Sequence, residues 1–562
     1  MPQSDRLDFL TVEDAAEQLG LSVATVRRRC AAGDWGAQKA GRQWLIPVAA
    51  LANEKPVRKN AKQGRTDQPI YDVAQAFRYV QSTDMSEAWV PDVLRFRDYI
   101  ENVDTILHDA TIALDNSSYS PAFRVPIPKT LHSNRPGVLL PLADRVAYQA
   151  VVGTFAEKIN ARIPENVFSS RLARDKRFFL EHGPKRFVRF EKAVEKRAKA
   201  EHGWVAKTDI TSYFDHVIHK ILFDELSLLG VTGKPLLDLR KMLSKWALVD
   251  GIGLPQGPNA SRVLGNFYLI EVDHEMIDAG YEYYRYMDDV RIFASSKTRA
   301  VEGLRLFESL CRSRGLTLSA AKTSVLSSEQ FTREAVDKET DRAAYLFELG
   351  DLPQARNALR TVLRKALSEK GISIRRVRFS MWRLARIRES TVTGQVLKHL
   401  EELAPVASVV AAYFRHFISR PTLQIKITEF MTDPARSYSH YLRSWIFATM
   451  LECRQVPQDW RKIADLQTKD KNSPSYLRAI AACVVAKCRV PRDLAWIKSE
   501  LATEHDPVMI RGYLVALTYG QALDKATTNS INLDSKLAYT VAWLRQRKNL
   551  PSLVYNDRVI EI

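Results

Sequence analysis

The stretch Tyr281-Glu-Tyr-Tyr-Arg-Tyr-Met-Asp-Asp-Val-Arg-Ile-Phe-Ala294 decides how this chain is read. Both flanks are rich in aromatic or β-branched residues, which predicts two strands. Met287-Asp288-Asp289 between them predicts a tight turn with adjacent carboxylates at a hairpin tip. Neighbouring carboxylates repel one another and are costly to hold together without a cation. Oxygen donors of this kind suit Mg²⁺. An Asp-rich surface turn would carry the same letters, so the surrounding sequence has to decide.

Upstream, Trp204-Val-Ala-Lys-Thr-Asp209-Ile-Thr-Ser-Tyr-Phe214-Asp215 reads as an apolar strand ending at an Asp, with an aromatic five positions later. Gly253-Leu-Pro-Gln256-Gly257-Pro-Asn-Ala-Ser261 is a Gly/Pro loop running into a helix whose Val263, Phe267, Ile270 and Ile277 share one predicted face. His274 on that helix reads as a hydrogen-bonded core histidine, and Asp215 and His216 as residues that fold the loop after the first Asp. Downstream lies Gly315-Leu-Thr-Leu-Ser-Ala-Ala-Lys322-Thr323.

In this order the four segments resemble motifs A, B, C and D of a reverse-transcriptase palm, over roughly residues 70–330. Arg135-Pro-Gly-Val-Leu-Leu-Pro-Leu-Ala-Asp144-Arg145-Val-Ala-Tyr-Gln149 and Phe168-Ser-Ser-Arg171 are similar to parts of that family's fingers. The resemblance implies phosphoryl transfer to a 3′-OH, with Asp209, Asp288 and Asp289 holding two Mg²⁺ ions, Mn²⁺ being a substitute. It implies that Lys322 is a general acid or charge stabiliser for pyrophosphate, with a solvated helix lysine as the bland alternative. It further implies that Phe214 excludes a 2′-OH and that Gln256 and Gly257 admit the template–nucleotide pair. Arg171, Tyr286 and Met287 complete the nucleotide-binding set that it implies, and the substrates would be dNTPs.

Residues 8–53 form a pattern of their own. Leu10 to Arg29 reads as helix, Gly20 turn and Ser22-capped second helix. Gly33-Asp-Trp35 and Lys39 to Pro47 read as a hairpin wing. This resembles the winged helix-turn-helix of excisionase and MerR-type proteins, which implies DNA contacts from Thr25, Arg27, Arg28, Arg29 and, on the wing, Arg42. The other reading is a protein-docking module of the same fold. Residues 54–69 have linker composition. From about 340 the pattern is helical. Tyr441-Leu-Arg443, Tyr476-Leu-Arg478 and Met509-Ile-Arg511 each open an apolar helix, preceded by Asp433-Pro434, Ser473-Pro474 and Asp506-Pro507 as cap and turn chemistry. The pattern resembles HEAT-type repeats, and a plain helical bundle is the alternative. The expected fold is therefore multidomain α+β. It comprises a winged helix-turn-helix (1–53), a linker (54–69), right-hand fingers and palm (70–335) and an all-α, thumb-like, HEAT-like domain (336–562).

The net charge of +18 over 562 residues favours a polyanionic partner, nucleic acid before membrane. Residues 171–200 hold eleven basic residues against four acidic ones, and residues 351–390 eleven against three. Both blocks bracket the expected palm, where they would grip a duplex through its phosphates. Five scattered cysteines exclude a disulfide framework or a Cys-x-x-Cys zinc site and suit a reducing cytosol. No apolar signal core or membrane span is legible.

Among reverse transcriptases, no RNase H region and no Cys-rich nuclease of the group II maturase kind is visible. Val392-Thr393-Gly394 matches a retron thumb element but lies far beyond motif D. A palm followed by a long helical tail most resembles the bacterial abortive-infection and related defence-associated enzymes. That resemblance implies a cytoplasmic bacterial protein, antiphage defence, synthesis that is untemplated or guided by a noncoding RNA, protein priming and homo-oligomers. A retron- or maturase-like enzyme of a mobile element and a non-catalytic DNA-binding regulator are the competing expectations.

Overall fold

The structure, a computed structural model, describes residues 9–19, 23–31, 34–40, 43–51, 70–82, 90–91, 98, 101–200, 203–335, 337–368, 371–529, 535–547 and 550–553. The chain divides into two units, 1–70 and 71–562.

The first unit contains β1 (Phe9–Thr11), α1 (Val12–Leu19), α2 (Val23–Ala31), β2 (Gln38–Ala40) and β3 (Gln43–Pro47). The two helices and the hairpin follow the sequence reading, and β1 adds a third strand, in the order β1-β3-β2. Thr11 starts α1 with a reciprocal cap: its hydroxyl accepts from the Asp14 N–H while the Asp14 carboxylate accepts from the Thr11 N–H. Val12, Ala15, Val26, Cys30 and Ile46 form the small core. Of the wing segment expected at Gly33-Asp-Trp35, Gly33 lies outside the described residues and Asp34 and Trp35 are not in a strand. Residues 34–36 make a 3-10 turn in which Trp35 has φ +61°, and its indole lies against Arg29 at 4.4 Å.

In the second unit, β4 (Phe123–Pro128) and β5 (Asn134–Leu139) pair as an antiparallel ribbon. The helix α3 (Gly183–Ala200) follows, and then the central sheet: β6 (Trp204–Asp209), β7 (Glu282–Tyr286), β8 (Asp289–Ala294) and β9 (Ser324–Ser327). Its order is β7-β8-β6-β9, antiparallel throughout. Strand alternation covers both faces. Ala206, Tyr283, Val290 and Ile292 enter the main core, whereas Val205 and Phe293 pack with Phe190, Val194 and Ala198 of α3. The helix expected after Gly257 is two helices, α4 (Asn259–Tyr268) and α5 (Ile270–Asp278), joined at Leu269. The break shifts the buried stripe. Val263, Phe267 and Ile270 are buried as expected, but Ile277 is 40% exposed and Val272 and Met276 point inward instead.

Past the sheet, α6 (Ile374–Arg386) leads into α7 (Pro421–Thr432), α8 (His440–Met450), α9 (Gln458–Lys469), α10 (Ser475–Lys487), α11 (Pro491–Thr503) and α12 (Pro507–Tyr519). Helices α8, α10 and α12 are buried at almost every position, while α7, α9 and α11 bury one stripe each. Helices α10 and α12 approach so closely that a Cβ on Gly512 would meet the Ala479 Cβ at 2.5 Å. The repeated arginines are structural: Arg443 donates to the Met431 carbonyl and Arg478 to the Thr468 carbonyl, at the ends of α7 and α9. Arg511 pairs with the fully buried Asp98 at 2.9 Å. Of the expected caps only Asp506 acts as one; Ser439 caps α8, and Asp433 closes the turn after α7 by accepting from the Ala435 N–H. One face of the β4–β5 ribbon belongs to this helical part, since Val125 and Ile127 join its core and Phe123 meets Tyr476 edge-on at 6.4 Å.

Beneath the β7–β8 hairpin lies a buried polar joint. Arg285 has no exposed surface, and strand alternation places it where an apolar residue would be expected. Its guanidinium is bidentate on Asp273 of α5 and also donates to Asn266 Oδ1 of α4 and to the Met287 carbonyl, both at 2.9 Å. Ser169 Oγ accepts from the Met287 N–H at 2.8 Å, and Asn266 Nδ2 donates to the Ser169 carbonyl. Removing one partner of a buried ion pair strands the other charge. Asp273→Ala is therefore expected to destabilise this unit by about 3–5 kcal/mol, read as a lower denaturant midpoint by circular dichroism. An unchanged midpoint would contradict the joint.

Candidate active site

The β6–β8 register sets Asp209 directly opposite Asp289, the last pair of that ladder. Asp288 is in the turn itself, and its carbonyl accepts from the Ile210 N–H at 3.1 Å. The turn depends on Met287 at φ +56°, an uncommon conformation for a non-glycine residue, which Arg285 and Ser169 hold from below. Three carboxylates, two on the inner strands and one in the turn, thus gather at the same end of the sheet.

Their electrostatics are those of a crowded anionic site. Burial pushes the Asp288 carboxyl up to about 6, and the neighbouring Asp209 and Asp289 add to the shift. Two cations answer the charge. The segment after motif C is drawn to β6 by Ser319 N–H donating to the Asp209 carbonyl and Thr211 N–H to the Thr317 carbonyl. This puts Lys322, at the end of a 3-10 turn, 2.7 Å from Asp209 Oδ2. Burial works against the Lys322 charge, but the bond to Asp209 outweighs it and holds the ammonium above its usual value. Arg291, two positions along β8, pairs with Asp289 at 2.9 Å. Among the described residues no three acidic, His or Cys side chains stand in closed ligand geometry. The donor set itself, carboxylate oxygens only, fits a hard divalent cation such as Mg²⁺.

The loops around the carboxylates are tied to one another. Phe214 lies over α4, where a Cβ on Gly265 would meet its ring at 3.2 Å, and Tyr213 donates to the Gly265 carbonyl. The Leu254 N–H donates to the Phe214 carbonyl, and Gln256 Nε2 donates to Asp215 Oδ1 at 2.7 Å. Gly257 turns the loop at φ +115°, a conformation that side chains other than glycine's rarely allow. Asp215 is pushed up by burial, opposed by Gln256 and by the charges of His216, Lys129 and Arg135. His216 binds back to the Ser212 carbonyl at 3.0 Å, and His274 contacts the Arg162 carbonyl at 3.3 Å.

The Arg171 guanidinium donates to the Ile163, Pro164 and Val167 carbonyls, so three of its five N–H groups close its own loop. The Tyr286 hydroxyl donates to the Gly183 carbonyl and its ring packs on Phe187 and Phe190, which makes it a strut for α3. Thr393 reaches Tyr413 inside the helical part, so Val392-Thr393-Gly394 is a packing joint there. Of the residues expected on DNA, Arg27 is exposed on α2 and Arg29 is half-buried against Trp35. Thr25 and Arg28 lie on the same helix, with side chains outside the described set, and Arg42 lies outside the described residues. Sequence reasoning missed Ser169, Asn266 and Arg285, and it missed the ribbon's Lys129 and Arg135 as charges acting on the motif A loop. The legible signal for the last two was a basic residue on each side of a hairpin turn.

Residues 127–346 match the family model described as reverse transcriptase (RNA-dependent DNA polymerase), and residues 9–53 match that of a helix-turn-helix domain. No curated protein matches the chain. The chain thus carries a reverse transcriptase domain, containing the whole carboxylate site, and an N-terminal helix-turn-helix domain. No helix among the described residues is long and apolar enough to cross a membrane.

The raised Asp288 carboxyl has a thermodynamic sign. The folded state binds its proton more tightly than the unfolded chain does, so folding loses stability as pH rises from about 4 to 6 and carries the full penalty above that. In metal-free buffer, Asp288→Asn is expected to raise the melting temperature at pH 7.5, by the equivalent of about 1–2 kcal/mol, and to raise it less at pH 5. A gain that is equal at both values, or a loss at pH 7.5, would contradict the shift.

Proposed function

We propose that the protein is a Mg²⁺-dependent DNA polymerase that adds deoxynucleotides to a 3′-OH or a protein hydroxyl. The observation that carries this reading is the placement of Asp209 opposite Asp289, with Asp288 at the turn between strands and Lys322 on Asp209. Asp209, Asp288 and Asp289 would hold the ions. Bound Mg²⁺, or Mn²⁺ in its place, supplies Lewis-acid activation of the attacking hydroxyl and neutralises charge on the departing pyrophosphate. The chain's own residues do the rest. Lys322 keeps a proton under the influence of Asp209 and is positioned to stabilise or protonate the leaving group. Phe214, backed by α4, presents a ring against the sugar, and Gln256, anchored on Asp215, shapes the floor for the base pair.

The biological setting is argued from architecture. A reverse transcriptase domain followed by a long series of alternating buried and amphipathic helices most resembles the defence-associated enzymes. We read those helices as HEAT-like repeats and the activity as antiphage defence in the bacterial cytoplasm, with a noncoding RNA as template or guide and a homo-oligomer as the working form. The helix-turn-helix domain would bring the enzyme to duplex DNA through α2. That domain also favours a second reading, a DNA-binding regulator in which the palm serves as scaffold.

Purified protein incubated with Mg²⁺ and labelled dNTPs separates the two. Incorporation is expected, and Asp288→Ala combined with Asp289→Ala should lower it by at least about a thousandfold. Incorporation that survives the double change would refute the site, and none in the wild type, with or without RNA, would favour the regulator. Phe214→Ala should raise the use of ribonucleotides relative to deoxynucleotides by about tenfold, measured by competition between the two. An unchanged ratio would remove Phe214 from sugar selection.

A further inference from the structure

The basic block at 351–390 separates into two groups in the structure. Arg356 and Arg360 hold Glu389, Arg376 holds Asp337 and Glu339, and Lys365 holds Glu339. These residues brace helices. A different set faces solvent from α6. Val377, Met381 and Leu384 bury one side of that helix, and Arg375, Arg378, Trp382 and Arg386 recur at intervals of three or four along the other. Residues so spaced share one line on a helix, here about 16 Å long. The three arginines are exposed and Trp382 is partly exposed.

The stripe has internal order. The Arg383 and Arg386 guanidinium groups lie 5.0 and 4.9 Å from the Trp382 ring centre, and Phe347 supports the indole at 6.2 Å. Arg375 makes an exposed pair with Glu191 of α3. Arg378 and Arg386 have no carboxylate partner among the described residues. Arg378 is surrounded by protein on several sides although its side chain reaches solvent. Desolvation lowers its pKa, the neighbouring Arg135 lowers it further, and Tyr441 of α8 opposes the shift. Arg135 is placed to meet it, since it sits directly across the ribbon from Ile127, on the face turned to the helical part. Arg135 also acts on Asp215 of the motif A loop. Arg135 thus acts on both the stripe and the loop after Asp209. The Arg378 and Arg135 guanidinium groups repel each other, and a phosphate between them would offset that repulsion.

We propose that the Arg375–Arg378–Trp382–Arg386 face of α6 binds a single strand of nucleic acid, Trp382 stacking on an unpaired base and the arginines holding successive phosphates. Alternating cations and an aromatic ring is the chemistry of sequence-tolerant single-strand binding. The proposal depends on the polymerase reading only for calling that strand the template or the product.

The test uses the full chain carrying Asp288→Ala and Asp289→Ala, without dNTPs, so that binding is read apart from synthesis. Fluorescence anisotropy would follow labelled oligo-dT, oligo-U and a blunt duplex. Trp382→Ala is expected to weaken binding of both single strands by about tenfold while leaving the duplex unaffected, and Trp382→Phe should keep most of the affinity. Arg378→Gln with Arg386→Gln should flatten the dependence of log K on log salt by about 1.4; Arg454→Gln, an exposed arginine elsewhere, should not. Any contribution of the helix-turn-helix domain is common to all these variants. Trp382→Ala within about twofold of its parent, or an equal loss on duplex and single strand, would overturn the assignment. Loss of single-strand binding in a protein whose wild type incorporates no nucleotide would uphold the stripe and reject the polymerase.

Discussion

A guanidinium with no exposed surface can be tolerated only when its charge and its donors are met inside the protein. Arg285 meets that condition by drawing together parts of the chain that are distant in sequence. Asp273 comes from α5, Asn266 from α4 and the Met287 carbonyl from the turn that Arg285 itself precedes. Ser169 closes the circuit from the fingers. Because the Arg285, Asp273, Asn266 and Ser169 side chains are all buried, shifting any one of them strands a polar group, and the turn is fixed far more firmly than a two-strand hairpin could fix it. A non-glycine residue at positive φ persists under such constraint. What this arrangement gains is a defined position for Asp288.

That position is electrostatically unfavourable for the protein alone. Cross-strand like charges destabilise a sheet, and here the Asp209–Asp289 pair closes the ladder beside a third, largely desolvated carboxylate. Lys322 and Arg291 compensate in part, each bonded to one outer carboxylate, while Asp288 has no ion-pair partner among the described residues and feels Lys322 only through space. The rest of the fold supplies the stability to hold this crowding, through a sheet covered on both faces and loops hooked to one another by Gln256–Asp215 and Leu254–Phe214. A cluster that costs stability yet is braced from several directions has the character of a functional site.

How much of this was legible follows from what each signal depends on. The hairpin, its two Asp residues and the strand ending at Asp209 are local patterns, and the sheet brings them together as their spacing implied. Arg285 was hidden because strand alternation marks an inward position without saying whether a charge there has a partner; the partners lie 12 and 19 residues away on helices. Arg171 shows a converse limit: a basic residue near a nucleotide site invites a phosphate role, and nothing local reveals that three backbone carbonyls of its own loop take three of its five N–H groups. Ile277 was misplaced because the helix breaks in two at Leu269, and the buried stripe of α5 does not continue that of α4. Only Asp506 of the three expected caps acts as one, because Asp-Pro and Ser-Pro mark turns, but whether the polar residue faces a helix N-terminus depends on the loop around it.

The helical part is more than an appendage to the sheet. Val125 and Ile127 of the ribbon are buried in its core, and Phe123 packs on Tyr476. The same ribbon carries Lys129 and Arg135, whose charges act on the motif A loop. Displacing the ribbon relative to the catalytic sheet would therefore have to displace α8 and α10 with it or break their shared apolar contacts. A second tie, Arg511 on α12 to the buried Asp98, fastens the segment before the ribbon to the far end of the helical series. Close-packed interiors transmit such shifts rather than absorb them. The ribbon and helices α8 and α10 thus share one packed interior, and the ribbon's charges reach the loop after Asp209 without any residue of α8, α10 or α12 touching it.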